Sequence, residues 1–278
     1  MKYDMWRRAR RVEAQFRKSL EVLCDMFDKI ALQSGGDIEY FASKMREFQN
    51  SFQYEQYINS IVERMVLPLD VANQKTWREA AKKATKGKFF YDLLINETNQ
   101  GIGTSIQSQI IQNANLIKTL PSDTARKVAK NISEATFSGL RASEIEKLIR
   151  EETDKHSKAS ARLIARTEVS KTQSALTRAR SEELGLSWYV WRTARDGNRV
   201  RKSHRIMEGV LVNWNNPPSP EQLANEKNVG RYHAGEIWNC RCYAEPLLEV
   251  HDVHWPHKVY YNGKIQTMAK GSFEKEFM

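Results

Sequence analysis

Four cysteine and histidine residues in the last third of the chain are the clearest candidates for chemistry. Cys240 and Cys242 stand one residue apart, His233 lies seven residues before Cys240, and His204 lies in a separate segment. Two thiolates and two imidazoles would complete the tetrahedral shell of a structural zinc ion and leave no position for water. The spacing is not that of a familiar zinc finger. An alternative therefore stays open, in which the cysteines are small buried hydrophobic residues and the histidines are hydrogen-bonded loop residues.

Motifs for other kinds of catalysis are missing from the sequence. It has no Walker phosphate loop, no His-Glu-x-x-His helix, and no serine or cysteine with an evident activating base nearby in sequence. We therefore predict no catalytic residues and a protein that is not an enzyme. The alternative function is a metal-dependent nucleic-acid-processing enzyme. That function would need three protein ligands plus water, with Glu168 or Glu236 beside the metal.

Length and composition bound the class of protein. With 278 residues, 40% of them hydrophobic, the chain can bury a core of one large or two modest domains. No run of eighteen apolar residues appears, and the first residues carry charges where a signal peptide needs an apolar centre. Three cysteines give no disulfide framework. We expect a soluble protein of a reducing cytoplasm, without membrane contact.

The formal net charge of +10 indicates an anionic partner. Basic residues gather in two stretches with few acidic neighbours, at 7–18 and 75–88. Such stretches bind the phosphates of duplex DNA without reading its sequence, because neutralised phosphates release counterions. Solvated helix faces are the alternative explanation. The predicted DNA-binding residues are Arg7, Arg8, Arg10, Arg11, Lys82, Lys83, Lys86 and Lys88.

Apolar spacing predicts helices for the first two thirds of the chain. The first helical stripe starts near Trp6 and should end at Gly35-Gly36, and a second stretch should stop before Pro68, which disfavours helix in its predecessor. A later helix is predicted from about Ala159 to Leu184, closed by Gly185.

The pattern changes after Gly185. Aromatic and β-branched residues predict strands at 186–193 and 209–214, and much loop follows them. The histidines of the segment 251–257 are predicted to lie in an exposed, partly ordered tail. The predicted fold class is α+β, a mainly α-helical N-terminal part followed by a small loop-rich α+β module. The predicted boundaries are 1–158 for the helical region, 159–250 for the module and 251–278 for the C-terminal tail. A module with so few strands needs a cross-link in addition to its small core, and the metal site is the candidate for this cross-link.

Several spaced motifs across about residues 160–248 carry a family resemblance. They are, in order, Ile164-Ala-Arg-Thr-Glu168, Trp191-Arg-Thr-Ala-Arg-Asp196, Arg199 with His204, Glu208-Gly209, Tyr232-His233, and Cys240-Arg-Cys242-Tyr-Ala-Glu-Pro246. Together they resemble the phage Mu F-like minor head protein family, a family of phage head morphogenesis proteins.

The resemblance implies roles for individual positions. Residues matching the family's motifs are Arg166, Thr167, Glu168, Asp196, Arg199, His204, Gly209, His233, Cys240 and Cys242. Many relatives carry Cys-x-x-Cys where this chain has Arg201 and His204, and His-Pro where it has His233 and Ala234. Where those relatives have the second cysteine, this chain has His204, and histidine is also a zinc ligand. For Glu168 we expect a structural pairing with Asp196 or Arg199.

The resemblance also implies a place and partners for the protein. It implies a low-copy component of the virion, inside the head near the portal, which is in the host cytoplasm during assembly. The expected partners are the phage portal protein and packaged double-stranded DNA, with scaffold and major capsid proteins as further candidates.

Overall fold

The computed structural model describes residues 5–7, 9–95, 100–136, 142–195 and 199–278, and it divides the chain into two compact units. The helical unit comprises Arg10–Leu67 and Gln107–Glu168. The sheet unit comprises Met1–Ala9, Pro68–Ile106 and Val169–Met278. Each unit draws on separate stretches of the chain, so neither follows the boundaries at 158 and 250 that the sequence predicts.

Long helices make up most of the first two thirds of the chain, as predicted. They are α1 (Arg10–Gln33), α2 (Ile38–Gln49), α3 (Phe52–Ala81), α4 (Gly87–Ile95), α5 (Gln100–Lys118), α6 (Leu120–Thr136) and α7 (Ala142–Glu183). Helix α1 ends where expected, because Gly35 and Gly36 adopt φ values of 56° and 93°, a region that glycine enters without a steric penalty. Asp37 then caps α2 by accepting hydrogen bonds from the backbone N–H groups of Glu39 and Tyr40.

Helix α3 continues through Pro68, so the predicted helix end before this proline is wrong. A proline inside a helix removes one hydrogen bond and costs about 3 kcal/mol. The apolar stripe does not stop there, since Met65, Val66 and Leu69 are all buried. Burial of each such side chain contributes roughly 1.5–3 kcal/mol, which together exceeds the cost of the proline.

Aromatic packing holds the helical unit together. Phe27, fully buried in α1, meets Phe48 of α2 edge to face at 6.0 Å, and Phe48 packs against Tyr54 at 4.8 Å. The Tyr54 hydroxyl donates to the carbonyl of Ile117 at 2.8 Å. This buried hydroxyl therefore has a partner, as burial of a polar group requires.

Helix α7 starts at Ala142 and not near Ala159, and it ends beside Gly185, whose φ is 69°. In the sheet unit it carries Arg180, whose side chain is almost wholly buried. The Arg180 guanidinium pairs with Asp70 at 2.7 Å and donates to the side-chain oxygen of Asn73 at 2.8 Å. The charge is thus buried with its counter-charge.

Five strands in the described part of the chain form one sheet in the order β3-β1-β2-β4-β5. The strands are β1 (Trp188–Arg192), β2 (Leu211–Asn213), β3 (Tyr243–Pro246), β4 (His257–Tyr261) and β5 (Lys264–Met268). The short helices are α8 (Lys202–Ile206), α9 (Pro220–Leu223) and α10 (Lys270–Phe277). Strands β2 and β4 pair in parallel, and the other pairs are antiparallel. The α+β class is therefore confirmed.

Residues 251–278 do not form the expected tail. Strand β4 joins the sheet through Val259, which pairs with Leu211 of β2, and the His257 ring hydrogen-bonds the carbonyl of Gly209 at 2.8 Å. Phe273 of α10 is fully buried and packs edge to face on Trp188 at 5.0 Å. Apolar burial thus orders this segment, although His251 and His254 are exposed as predicted.

No helix in the described ranges is both long and apolar enough to span a membrane.

Candidate metal centre

Two elements of the sheet unit bring three of the four predicted ligands together. Helix α8 carries His204, and the turn before β3 carries Cys240 and Cys242. The His204 Nδ1 atom lies 3.6 Å from the Cys240 sulfur and 3.3 Å from the Cys242 sulfur. The sulfur and nitrogen ligands of a tetrahedral zinc site are separated by about 3.5 Å when the zinc–sulfur and zinc–nitrogen distances are about 2.3 and 2.0 Å. The spacing and the donor types therefore fit a zinc ion.

A buried chain of hydrogen bonds orients His204. The Tyr232 hydroxyl lies 2.7 Å from both carboxylate oxygens of Glu221, and the Nε2 atom of His204 lies 2.9 Å from the same hydroxyl. A carboxylate only accepts, so Tyr232 donates its proton to Glu221 and its oxygen accepts from His204 Nε2–H. This network assigns the proton of His204 to Nε2 and leaves the Nδ1 lone pair facing the two sulfurs.

Neighbouring rings and a serine hold this arrangement in place. Trp191 of β1 meets the His204 ring edge to face at 5.6 Å, and the Tyr232 ring lies 5.8 Å from it. The Ser203 hydroxyl donates to the Glu221 carboxylate at 3.2 Å. The imidazole is thus fixed before any ligand binds, which lowers the entropic cost of binding.

The two thiols have pKa values displaced in opposite directions. A hydrogen bond from the Cys242 thiol holds the pKa of the Cys240 thiol well below its usual value, although burial opposes this shift. Burial and the neighbouring Cys240 sulfur raise the pKa of Cys242. The Cys242 backbone N–H also donates to the Cys240 sulfur at 3.3 Å. One thiolate is therefore stabilised by the protein alone, and a bound cation would supply the charge that ionises the second.

The fourth predicted ligand, His233, is not brought to this cluster. Its Nδ1 atom lies 3.1 Å from the Tyr189 hydroxyl, and its ring packs edge to face on Trp214 at 5.1 Å. Burial lowers the pKa of His233 to about 4. The residue is therefore a neutral, buried core histidine in this structure, and within the described ranges the cluster holds three protein ligands.

The space beside the cluster is small. A cavity of about 10 Å³ is lined by Arg199, Arg201, Asn239 and the three ligands, among others. This volume accommodates one water molecule. The ligands themselves are 2–4% exposed. The Glu236 carboxylate accepts a hydrogen bond from the His233 backbone N–H at 2.7 Å, and burial raises its pKa. The arrangement suits a structural ion better than one that must receive a substrate.

The other positions matched to the family's motifs are distributed between the two units. Arg166 of the helical unit pairs with Glu13 at 3.7 Å, and Thr167 and Glu168 beside it are buried. In the sheet unit Arg199 is exposed, while Asp196 lies outside the described residues. Glu168 and Arg199 form no ion pair with each other within the described residues, and the pairing of Glu168 with Asp196 stays a prediction.

Most of the predicted DNA-binding side chains are exposed. These are Arg10, Arg11, Lys82, Lys83, Lys86 and Lys88. Arg7 is partly buried and donates to the carbonyl of Ala194 at 2.7 Å, which removes one of its donors from solvent. Arg8 lies outside the described residues. Exposure is what phosphate contact requires, and the binding itself stays a prediction.

Sequence reasoning missed the residues that orient His204. Tyr232 stands directly before His233 and belongs to one of the family motifs, but nothing in the sequence around Glu221 or Ser203 indicates a role beside the cluster. A carboxylate in a Pro-rich loop is usually solvated, so only the fold shows that Glu221 is buried beside a tyrosine.

Comparison with known proteins supports the resemblance. Residues 126–245 match the family described as Phage Mu protein F like protein. The chain is also similar to an uncharacterized protein of Haemophilus influenzae (strain ATCC 51907 / DSM 11121 / KW20 / Rd), with 33% identity over 137 residues. That alignment covers 49% of this chain and 28% of the relative. The chain thus spans about a quarter of the length of this relative. No solved structure matches.

The matched region contains all three candidate metal ligands, together with the Arg166-Thr-Glu168 segment of α7. It ends within β3, before the strands β4 and β5 that complete the sheet. The resemblance is therefore confirmed for residues 126–245, which are similar to the phage Mu protein F-like family.

Proposed function

We propose that this chain is a minor structural protein of the head of a tailed phage, present in few copies inside the shell near the portal. The match of residues 126–245 to the phage Mu protein F-like family carries this proposal. The family supports a role in head morphogenesis, and the small volume of the cavity beside the cluster supports a structural rather than a catalytic centre.

The role proposed for the metal is to cross-link the loops around the sheet. His204, Cys240 and Cys242 supply nitrogen and sulfur ligands from α8 and from the turn before β3. A zinc ion held there would tie together segments that are 36 residues apart and share little regular structure. The rigid region that results suits attachment to a partner such as the portal, with scaffold or major capsid protein as further candidates.

The proposed contact with packaged duplex DNA uses the lysines between α3 and α4. Lys82, Lys83, Lys86 and Lys88 are exposed, and none of them forms an ion pair with a carboxylate in the described ranges. Four unneutralised charges within seven residues attract phosphates by counterion release and carry no means of reading bases. Binding should therefore be independent of sequence and fall steeply with salt.

One observation favours the alternative, a metal-dependent nucleic-acid-processing enzyme. The cluster holds three protein ligands in the described residues, as a catalytic zinc site does. Against it, the adjacent cavity is the size of one water molecule. The Glu236 carboxylate caps a backbone N–H group instead of facing an open cleft. Turnover of nucleic acid that Glu236→Gln or Glu168→Gln abolishes would establish the enzyme instead.

The role in the virion is tested in phage-infected cells. We expect the protein to co-purify with the portal and to occur in procapsids at far fewer copies than the major capsid protein. Deletion should leave shells of near-normal shape that yield fewer infectious particles, because the lattice does not depend on it. Absence of the protein from purified heads would contradict the proposal.

A further inference from the structure

An exposed surface beside the metal centre combines arginines with a tryptophan. We name it the arginine–tryptophan surface and define it by Arg199, Arg201 and Trp238. The two arginines line the same small cavity as His204. The tryptophan belongs to the turn that leads into Cys240 and is 52% exposed.

Arg201 and Trp238 form a preorganised pair. The guanidinium carbon of Arg201 lies 5.2 Å from the centre of the Trp238 ring, in a cation–π contact. An Arg201 Nη2–H group donates to the Trp238 carbonyl at 2.9 Å. An arginine has five N–H donors in a fixed plane, so this contact leaves donors for an outside acceptor. The pair thus presents a charge and an aromatic face side by side.

The charge of this surface is not balanced by nearby acids in the described ranges. Arg199 is exposed and forms no ion pair with a described carboxylate, and Arg201 lines the same cavity. Nearby carboxylates are already engaged: Glu221 by Tyr232 and Ser203, and Glu208 by Thr193 and Arg195. Positive charges that converge without counter-charges attract an anion.

We infer that the arginine–tryptophan surface binds single-stranded nucleic acid, with phosphates on the arginines and a base stacked on Trp238. Arginine binds phosphate through paired N–H groups, and an exposed aromatic ring takes any base because every base has a π-face. An acidic peptide would use the arginines and leave the tryptophan without a role. A DNA duplex keeps its bases stacked inside and would also leave Trp238 unused.

This binding is distinct from the duplex contact proposed above, which uses lysines of the α3–α4 connection. The two can therefore fail separately. A loss of duplex binding in Lys82 and Lys83 variants concerns the earlier proposal alone, whereas the present inference concerns a short unpaired strand.

The test measures binding of the full chain to a fluorescein-labelled oligo(dT) of twelve nucleotides by fluorescence anisotropy. Trp238→Ala should weaken binding by a factor of about 5 to 150, because stacking of one base on an aromatic ring is worth about 1–3 kcal/mol. Trp238→Phe, which keeps an aromatic face, should restore part of the affinity. Arg199→Ala should reduce the slope of log affinity against log salt by about 0.7 for each lost phosphate contact.

The matched control is Lys127→Ala, which removes one exposed positive charge from α6 in the helical unit. It should leave oligo(dT) binding unchanged. A labelled 20-base-pair duplex serves as second probe, and Trp238→Ala should not alter its affinity. Circular dichroism and metal content of each variant establish that the fold is kept.

Three outcomes would overturn the inference. The first is oligo(dT) affinity that Trp238→Ala leaves unchanged in a folded protein. The second is an equal loss of duplex and single-strand binding in this variant. The third is complete competition by polyglutamate at equal charge concentration, which would identify the surface as a site for acidic peptides.

Discussion

The helical unit and the sheet unit are stabilised by different kinds of contact. In the helical unit, long helices bury apolar stripes, with Phe27 and Phe41 fully enclosed. In the sheet unit, strands of three to five residues surround rings and polar groups. Among these are His204, Tyr232 and Glu221, linked by hydrogen bonds. Apolar stripes tolerate small adjustments, whereas a buried polar chain depends on every member. Substitutions that remove a few polar atoms should therefore destabilise the sheet unit most. Substitutions that remove buried apolar volume should destabilise the helical unit most.

The largest expected effect is the loss of metal. Cys240→Ser should reduce bound zinc from about one equivalent to near zero and loosen the sheet unit, while the helical unit stays folded. Elemental analysis and thermal unfolding measure both. Cys24→Ser is the matched control, because the buried Cys24 thiol donates to the carbonyl of Leu20 and a hydroxyl can do the same. If the wild-type protein carries no metal and chelator does not change its thermal stability, the metal site is contradicted. The cysteines would then serve only as buried packing residues.

Phe27→Ala tests the helical unit. Removing this fully buried ring from α1 should lower the free energy of unfolding by about 3–5 kcal/mol, since a cavity adds to the lost burial. Chemical denaturation gives the value. Leu32→Ala on the same helix, where the side chain is half exposed, should change it by less than about 0.5 kcal/mol. Metal content should not change, and its loss in Phe27→Ala would show that the units do not respond separately.

Acid should destabilise the sheet unit through His233. Its pKa of about 4 lies below the usual 6.5, so the fold favours the neutral ring. The stabilisation is fully present above about pH 6.5 and falls by about 1.4 kcal/mol per pH unit as the pH drops from 6.5 towards 4. Denaturation of wild type and of His233→Gln at pH 7.0, 5.5 and 4.5 separates this contribution from those of carboxylates. Parallel pH profiles for the two proteins would contradict it.

Tyr232→Phe should produce the smallest effect. It removes the hydroxyl between His204 and Glu221, and loss of such an outer hydrogen bond costs roughly 10–100-fold in metal affinity. Competition with a zinc indicator measures the change. Tyr260→Phe, at another buried tyrosine of the sheet unit, is the control and should leave the affinity unchanged. Equal affinity in both variants would mean that His204 needs no partner for its orientation.

Helices with regular apolar spacing could be predicted from the sequence. The stripe of α1 and its end at Gly35-Gly36 follow from local rules, because spacing and glycine conformation act within a few residues. The passage of α3 through Pro68 could not be predicted, since tertiary burial on both sides of the proline overrides its local preference.

The candidate site was predictable in its residue types but not in its full geometry. Cys240, Cys242 and His204 come together as the ligand chemistry suggested. His233 does not, because its neighbours Tyr189 and Trp214 are distant in sequence and no spacing rule reveals them. The same holds for Glu221, whose burial depends on contacts across the loop.

Strand β4 protects the edge of a sheet that the family-like region would otherwise leave open. The region ends at residue 245, and without the later strands β2 would lose the pairing of Leu211 with Val259 and present unpaired N–H and C=O groups at that position. Such an edge is a template for pairing with another chain. Proteins cut after Glu249 should therefore aggregate through strand addition, so solubility of the family-like region depends on residues outside it.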